Sequence, residues 1–313
     1  MFRKLLLAAV AVTAMTTAAN AQTVALATTK GGATEQIATA LAKTITEKSD
    51  LMVRPQVMAN TSQYLPLVDS GRVEFGIANF PQTAFAISGT GMSEGQPNPN
   101  LRLVATLIPF NAGLLASEKS GIKTVAELSG KRVPRFPANS LGDFFIRANL
   151  ETAGLSYDDV ESVPMSNFPS MFQAFKDGLT DITIATVASQ SVIDMEASVG
   201  AVHFLTLKPG DEKALDSVLP GTTVKPASEL PASPGITDTS MVMSYDYTLF
   251  ANKDVSNETV AKVAKALYEG QAELKAAGPI FSTFDPKKLA ANTSLEFHPG
   301  AIEFYKSVGI WPK

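Results

Sequence analysis

Small polar residues and glycines recur where a predicted strand gives way to a predicted helix. Five such places carry hydroxyl, amide or glycine residues in place of charged pairs: Thr29-Lys30-Gly31-Gly32, Asn60-Thr61-Ser62, Asn79, Asn139-Ser140, and the segment from Thr186 to Gln190. In open α/β sheets, ligands bind beyond the carboxyl ends of the strands, where N–H groups at helix starts can face an anion. Each segment alone is also typical of ordinary helix capping. Together they indicate a site that holds a small carboxylate-bearing molecule through uncharged hydrogen-bond donors.

Residues that carry catalysis are scarce. The chain has no cysteine, which excludes disulfides, thiol nucleophiles and cysteine-ligated metals, and its two histidines, His203 and His298, have no metal-ligand spacing. We expect His203 to be a buried residue of an apolar strand and His298, which precedes Pro299, to cap a helix. Residues 120–123 fit the S-x-x-K pattern without its partner motifs. We therefore predict no enzyme activity, no catalytic residue, no metal site and no cofactor.

The composition describes an ordered globular protein. The chain has 313 residues, of which 45% are hydrophobic and 18% charged, so intrinsic disorder is excluded. At roughly 150 residues per domain, the length predicts two packing units. A formal net charge of −4 gives no electrostatic footprint for nucleic acid.

The first residues have the order of an export signal. Residues 1–4 include Arg3 and Lys4, residues 5–12 are apolar, and Ala19 and Ala21 supply the small residues that a signal peptidase needs. We predict a signal peptide at residues 1–21, removed before Gln22, and an exported protein without a lipid anchor. A membrane anchor is the alternative, but the apolar run is too short to span a bilayer.

The elements that must position the polar segments alternate between strand and helix. One alternating series precedes Pro109 and ends in an apolar strand at residues 101–108. A second series follows, with a capping box at Thr124 and Glu127 and a helix predicted at residues 169–176. A long strand is predicted at Met241–Asn252. Residues 89–100 and 209–234 are rich in Gly, Pro or Asn and are predicted to be irregular. The succession predicts a largely parallel sheet covered on both faces.

A long strand that returns to the first series predicts two lobes with a cleft between them. We predict lobe 1 from residues 22–108 and 245–313 and lobe 2 from residues 109–244. Two chain crossings would join them, with the hinge around Ile108 and residues 245–250.

Six segments in order along the chain carry a resemblance to a known family. They are TKGG at 29–32, NTS at 60–62, DSGRVEFGIAN at 69–79, SGIKTVAELSGKRV at 120–133, KDGLTD at 176–181 and HPGAIEFY at 298–305. Together they resemble the TAXI solute-binding proteins of TRAP transporters, and the likeness covers nearly the whole chain after residue 21.

The resemblance implies an α/β, two-lobed periplasmic binding protein of the type II-like, Venus-flytrap kind with two hinge crossings. It implies a monomer that captures a small organic acid or amino acid and delivers it to TRAP membrane permease subunits driven by an ion gradient. The cleft residues carried over by position are Lys30, Gly31, Gly32, Thr61, Ser62, Asn79, Asn139, Ser140, Thr186 and Gln190.

Further residues are weaker candidates for the same cleft. Lys30 is a candidate counter-charge for a ligand carboxylate, with Arg135 as the second choice. Ser189 belongs to the last polar segment. Aromatic residues at strand ends are candidate pocket walls, although core packing is the commoner role of such residues. They are Tyr64, Phe80, Phe110, Phe136 and Tyr247.

Two other functions remain open from the sequence. A binding protein of an ABC transporter for sulfonates, nitrate or a similar small anion would share the same broad fold. An exported enzyme is the third reading, disfavoured by the missing nucleophiles.

Overall fold

The computed structural model describes residues 22–291 and 294–312, so the predicted signal peptide lies outside the described residues. The strands are β1 (Gln22–Thr29), β2 (Leu51–Met58), β3 (Phe75–Asn79), β4 (Leu101–Ser117), β5 (Arg132–Arg135), β6 (Glu161–Pro164), β7 (Ile182–Thr186), β8 (Val202–Phe204), β9 (Thr223–Pro226) and β10 (Met241–Asn252). The α-helices are α1 (Gly32–Lys48), α2 (Thr61–Asp69), α3 (Phe80–Ser88), α4 (Leu141–Glu151), α5 (Phe168–Lys176), α6 (Gln190–Val199), α7 (Glu212–Val218), α8 (Asn257–Glu269), α9 (Gln271–Ala276) and α10 (Pro299–Ser307).

Eight strands form one mixed sheet. Its main path is β2-β1-β3-β10-β4-β7, with β8 paired to β4 and β9 paired to β10. β1 is parallel to β2 and β3, whereas β10 is antiparallel to β3, β4 and β9, so the sheet is not as largely parallel as predicted. β5 and β6 form a separate parallel pair.

Helices cover both faces of the sheet because the strands are apolar on both sides. In β1, Val24 and Leu26 belong to a core cluster with Ile37 and Leu41 of α1, while Ala27 packs in a second cluster with Tyr64 of α2. Successive side chains of a strand point to opposite faces, so one strand supplies both layers. This arrangement confirms the predicted covering of both faces.

β4 and β10 are the two longest of the described strands and lie side by side in the sheet. Their pairing extends from Leu101 opposite Asn252 to Ala112 opposite Met243. The strand predicted at residues 101–108 was too short: β4 has 17 residues and continues through exposed Pro109, which lies opposite Asp246. The pairing shifts register between Asp246 and Thr248, which accommodates a residue that has no N–H to donate.

The predicted lobe boundaries fall within these two strands. At their middle, the Phe110 and Tyr245 rings stack with centroids 4.9 Å apart, and Tyr247 meets Phe110 edge-on at 5.1 Å. The division at 108/109 and 244/245 remains a proposal, in which the two antiparallel strands form the hinge.

Two segments predicted as irregular contain regular structure, and one helix was missed. Residues 209–234 include α7 and β9, and the short turn Gly91–Ser93 interrupts the loop 89–100. α3 follows β3 directly, with proline in its first turn, the position that best tolerates proline. Other local predictions are confirmed: Thr124 and Glu127 form a capping box, and the His298 side chain accepts a hydrogen bond from Gly300 N–H at the start of α10.

Among the described residues, no helix combines the length and the apolar character that crossing a bilayer requires.

A half-buried carboxyl group, that of Asp246, lies on β10 in the proposed hinge. Asp246 lines a cavity of about 600 Å³ beside the hinge strands, together with Pro109, Lys225 and Lys288. Burial raises the pKa of Asp246 above its ordinary value, and the charges of Lys288 and Lys225 offset part of this rise. The ionised carboxylate is therefore less favourable in the folded protein than in the unfolded chain.

We predict that Asp246→Asn raises the melting temperature at neutral pH. A raised pKa in the folded state means that the wild type is relatively most stable below the ordinary aspartate pKa, about 3.9, and loses stability as the pH rises through the folded-state value. The advantage of Asp246→Asn should therefore shrink towards zero below pH 4. Thermal unfolding measured from pH 3.5 to 8 checks this, with the exposed Asp238→Asn as a control that leaves the profile unchanged. A constant difference across the range would contradict the assignment.

Candidate ligand-binding site

A cavity of about 380 Å³ lies between residues of the two predicted lobes. From the first lobe it is lined by Thr29 and Thr34, by residues 59–62 and by Gln82; from the second it is lined by residues 136–142 and 166–168. The cavity beside the hinge is larger, but this one gathers strand ends and helix starts from both lobes. We therefore take it as the candidate site.

Three helix N-termini open onto this cavity. α2 begins after Asn60, α4 after Ser140 and α5 after Asn167, and all three of these residues line it. Each helix start presents first-turn N–H groups and a partial positive charge. In the described part of the chain, the N–H groups of Ser62 and Gly142 donate to no acceptor, so they are available to an anion.

A buried amide network supports the wall of the first lobe. Asn79, at the end of β3, donates from Nδ2 to Gln82 Oε1 at 3.2 Å, and Gln82 Nε2 donates to Thr61 Oγ1 at 2.7 Å. Asn79 and Gln82 are 1% and 7% exposed. Because the Gln82 oxygen is engaged by Asn79, its N–H groups face Thr61 and the cavity. Asn79 thus acts from beneath the cavity by orienting Gln82.

Tyrosines also lie under this wall. Tyr64 donates its hydroxyl to the Ile77 carbonyl at 2.5 Å, and the Tyr247 hydroxyl lies 3.3 Å from Thr34 Oγ1. Burial raises the pKa of both phenols, so they stay neutral. Neither tyrosine lines the cavity.

The second lobe contributes a short, strained loop. Asn139 has φ 63°, in the left-handed region that asparagine adopts more readily than most residues. The turn is closed by Ser140, whose Oγ donates to the Pro137 carbonyl at 2.7 Å and accepts from Asp143 N–H at 3.4 Å. Phe136 closes the side of the cavity, with its ring 5.2 Å from Phe168.

The structure brings together some of the predicted residues. Thr61, Ser62, Asn139, Ser140 and Phe136 line the cavity. The other candidates lie elsewhere among the described residues: Lys30, Gly31, Gly32, Asn79, Thr186, Ser189, Gln190, Tyr64, Phe80, Phe110, Arg135 and Tyr247.

The double glycine lies against the opposite lobe. Gly31 N–H donates to the Glu35 carboxylate of its own helix. A Cβ built on Gly31 would lie 2.7 Å from Pro169 Cγ, and one on Gly32 would lie 3.8 Å from Phe172. These glycines therefore allow α1 and α5 to approach closely.

The segment at residues 186–190 forms a second contact between the lobes. Gln190 N–H, at the start of α6, donates to Gln36 Oε1 of α1 at 3.2 Å. Ser189 is fully buried and its hydroxyl donates to the Thr186 carbonyl at 2.7 Å. The Gln36 side chain thus binds the start of α6, which the sequence analysis predicted to face a ligand.

The candidate basic residues lie outside the cavity. Lys30 is exposed, and Arg135 is exposed with its guanidinium 4.7 Å from the centre of the Tyr157 ring. Phe80 lines the larger cavity beside β4 and β10 instead, and the Phe110 ring stacks on that of Tyr245. The ligand roles proposed for these residues stay predictions.

Several lining residues were missed by sequence reasoning. Gln82 was missed together with α3, although Pro81 behind Phe80 is a helix-start signal. Asn167 was missed because the helix was predicted to begin at Pro169, one residue late, although asparagine before a Phe-Pro pair is a typical N-cap. Residues 92–98 line the cavity from a loop whose path no local pattern indicates.

We predict that Gly31→Ala weakens ligand binding about tenfold. The added methyl group would meet Pro169 in the closed arrangement, and overpacking of this kind costs about 1–3 kcal/mol. Gly200→Ala is the matched control, since Gly200 (φ 86°, ψ −164°) shares the backbone region of Gly31 (φ 76°, ψ 172°) and its Cβ would meet only Lys119 Nζ, at 4.0 Å. Titration calorimetry on both variants checks this. Equal affinities for the two would contradict the proposed contact.

Comparison with known proteins identifies the family of this chain and proteins of similar fold. Residues 25–309 match the NMT1-like family. MatC from Rhodopseudomonas palustris, with bound malate, has a TM-score of 0.57 at 15% identity, over 82% of this chain and 89% of its own. PhnD1 from Prochlorococcus marinus, in complex with methylphosphonate, has a TM-score of 0.55 at 12% identity, over 93% and 100%.

The alkanesulfonate-binding protein SsuA from Xanthomonas axonopodis pv. citri, bound to MOPS, has a TM-score of 0.53 at 15% identity, over 93% of this chain and 94% of its own. These similarities confirm the predicted two-lobed α/β fold. The family match spans nearly all of the described residues, and the chain belongs to the NMT1-like family.

Proposed function

We propose that this chain is an extracytoplasmic solute-binding protein that captures a small organic acid or amino acid between its lobes. The observation that carries the proposal is the convergence of the α2, α4 and α5 N-termini on one cavity built from both lobes. Aligned N–H groups and hydroxyls can hold a carboxylate without a cationic side chain.

The geometry also gives a mechanism for closure. A ligand that touches Thr61 in the first lobe and Ser140 in the second makes its full set of contacts only when the lobes are together. Ligand binding therefore shifts the hinge equilibrium towards the closed state. The bound neighbours MatC with malate, PhnD1 with methylphosphonate and SsuA with MOPS support a small anionic ligand.

We predict that the protein, freed of co-purified ligand, binds a small carboxylate and becomes more compact. Native mass spectrometry of the purified protein first identifies the mass of the bound compound. Small-angle scattering with and without that compound then measures the radius of gyration, which should fall on saturation. A bound compound with no change in radius would contradict hinged closure, and its chemical conversion by the protein would favour the exported enzyme.

We further propose that the protein belongs to the TAXI group, is located in the periplasm and delivers its ligand to a TRAP-type membrane permease. The ordered segments that resemble TAXI proteins support this assignment. The alternative is an ABC transporter for a small anion, which the fold of the sulfonate and phosphonate binders supports equally well.

The energy source separates the two transporters. We predict that uptake of the ligand by permease-containing vesicles supplied with this protein stops when the ion gradient is collapsed and continues without ATP. Uptake that requires ATP and survives an ionophore would identify the ABC alternative.

A further inference from the structure

The charges around the candidate cavity are unevenly distributed. Of the described residues that line it, Glu94 is the only charged one. Two arginines that follow or precede lining segments are engaged elsewhere: Arg147 Nε lies 3.2 Å from Asp143 Oδ2, and Arg135 lies over Tyr157. A ligand bearing only negative charge would meet one fixed carboxylate and no fixed cation.

Glu94 has no partner of its own in the described part of the chain. Glu35, which follows the lining residue Thr34, is committed, because it accepts from Gly31 N–H. Glu94 sits at the end of the Gly91–Ser93 turn, where its own N–H donates to the Gly91 carbonyl at 3.2 Å. The backbone is thus held while the carboxylate stays available.

A second acceptor lies on the same segment. Asn98 is 5% exposed and lines the cavity. Its Nδ2 donates to the carbonyls of Gln96 at 3.0 Å and Ala86 at 3.4 Å. With both N–H groups used, the atom that Asn98 has left to offer is its oxygen. Residues 94–98 therefore supply acceptors, whereas the helix N-termini supply donors.

The geometry points to a zwitterionic ligand, whose carboxylate meets the helix N-termini and whose ammonium group binds Glu94. This inference rests on the proposed function and narrows it to compounds of the amino-acid type. Glu94 attracts an ammonium group and repels a second carboxylate, so it selects against dicarboxylates and simple hydroxy acids. Because Glu94 is exposed, water screens part of this preference.

The test uses matched series of ligands that differ only at the amino group. Each series contains an amino acid, its 2-hydroxy acid and its deaminated acid, for alanine, leucine and glutamate side chains. Calorimetry on refolded, ligand-free wild type should give at least tenfold tighter binding of the amino acid in the series that binds. Glu94→Gln should weaken amino-acid binding tenfold or more and leave the hydroxy acid unchanged or tighter.

The control is Glu151→Gln, the same chemical change at an exposed position at the end of α4, which should bind like the wild type. Preference of the wild type for the hydroxy acid, or unchanged amino-acid binding by Glu94→Gln, overturns the inference while leaving solute binding intact. Failure of all nine compounds to bind overturns both the inference and the proposed function.

Discussion

The first-turn N–H groups of a helix have no acceptor within that helix, and three helices of this protein direct theirs to one cavity. Side chains satisfy some of these donors: Asn167 Oδ1 accepts from Ser170 N–H at 2.9 Å, and Ser140 accepts from Asp143 N–H. Others, such as those of Ser62 and Gly142, stay without an acceptor in the described chain. These N–H groups are therefore available to a molecule that brings acceptors, as the proposed carboxylate ligand would.

Two long strands make that cavity a property of both lobes at once. β4 and β10 pair with each other at the centre of the sheet and, in the proposed division, connect the lobe that contains α2 with the lobe that contains α4 and α5. Contacts at Gly31 and Gln36 join α1 to α5 and α6 outside the candidate cavity. In this proposal, the closed arrangement of the lobes is stabilised both by the bound small molecule and by these direct contacts.

Local signals in the sequence predicted most of the elements. β10 was predicted with its observed bounds because an uninterrupted β-prone run needs no partner to be recognised. The capping box at Thr124 and the N-cap at His298 were likewise local patterns. Pro109 was misread as an end because sequence alone does not show that its missing N–H lies opposite a register shift.

The site was harder to predict because its composition depends on tertiary contacts. Strand-end residues all had the right chemistry, but Gln36 takes the helix start at Gln190 and Glu35 takes the N–H of Gly31. Gln82 is held in the wall of the cavity by its hydrogen bonds to Asn79 and Thr61, which are 3 and 21 residues away in the sequence. Hydrogen bonds of this kind depend on how the elements pack, which the spacing of residues along the sequence does not show.

A crystal structure of the protein with its co-purified ligand tests the central claim most directly. The account predicts a carboxylate of the ligand within hydrogen-bond distance of the N–H groups at the starts of α2 and α4, with no lysine or arginine side chain in contact. A ligand carboxylate paired with Lys30 or Arg135, or a ligand seated beside the hinge strands at Asp246, would contradict it.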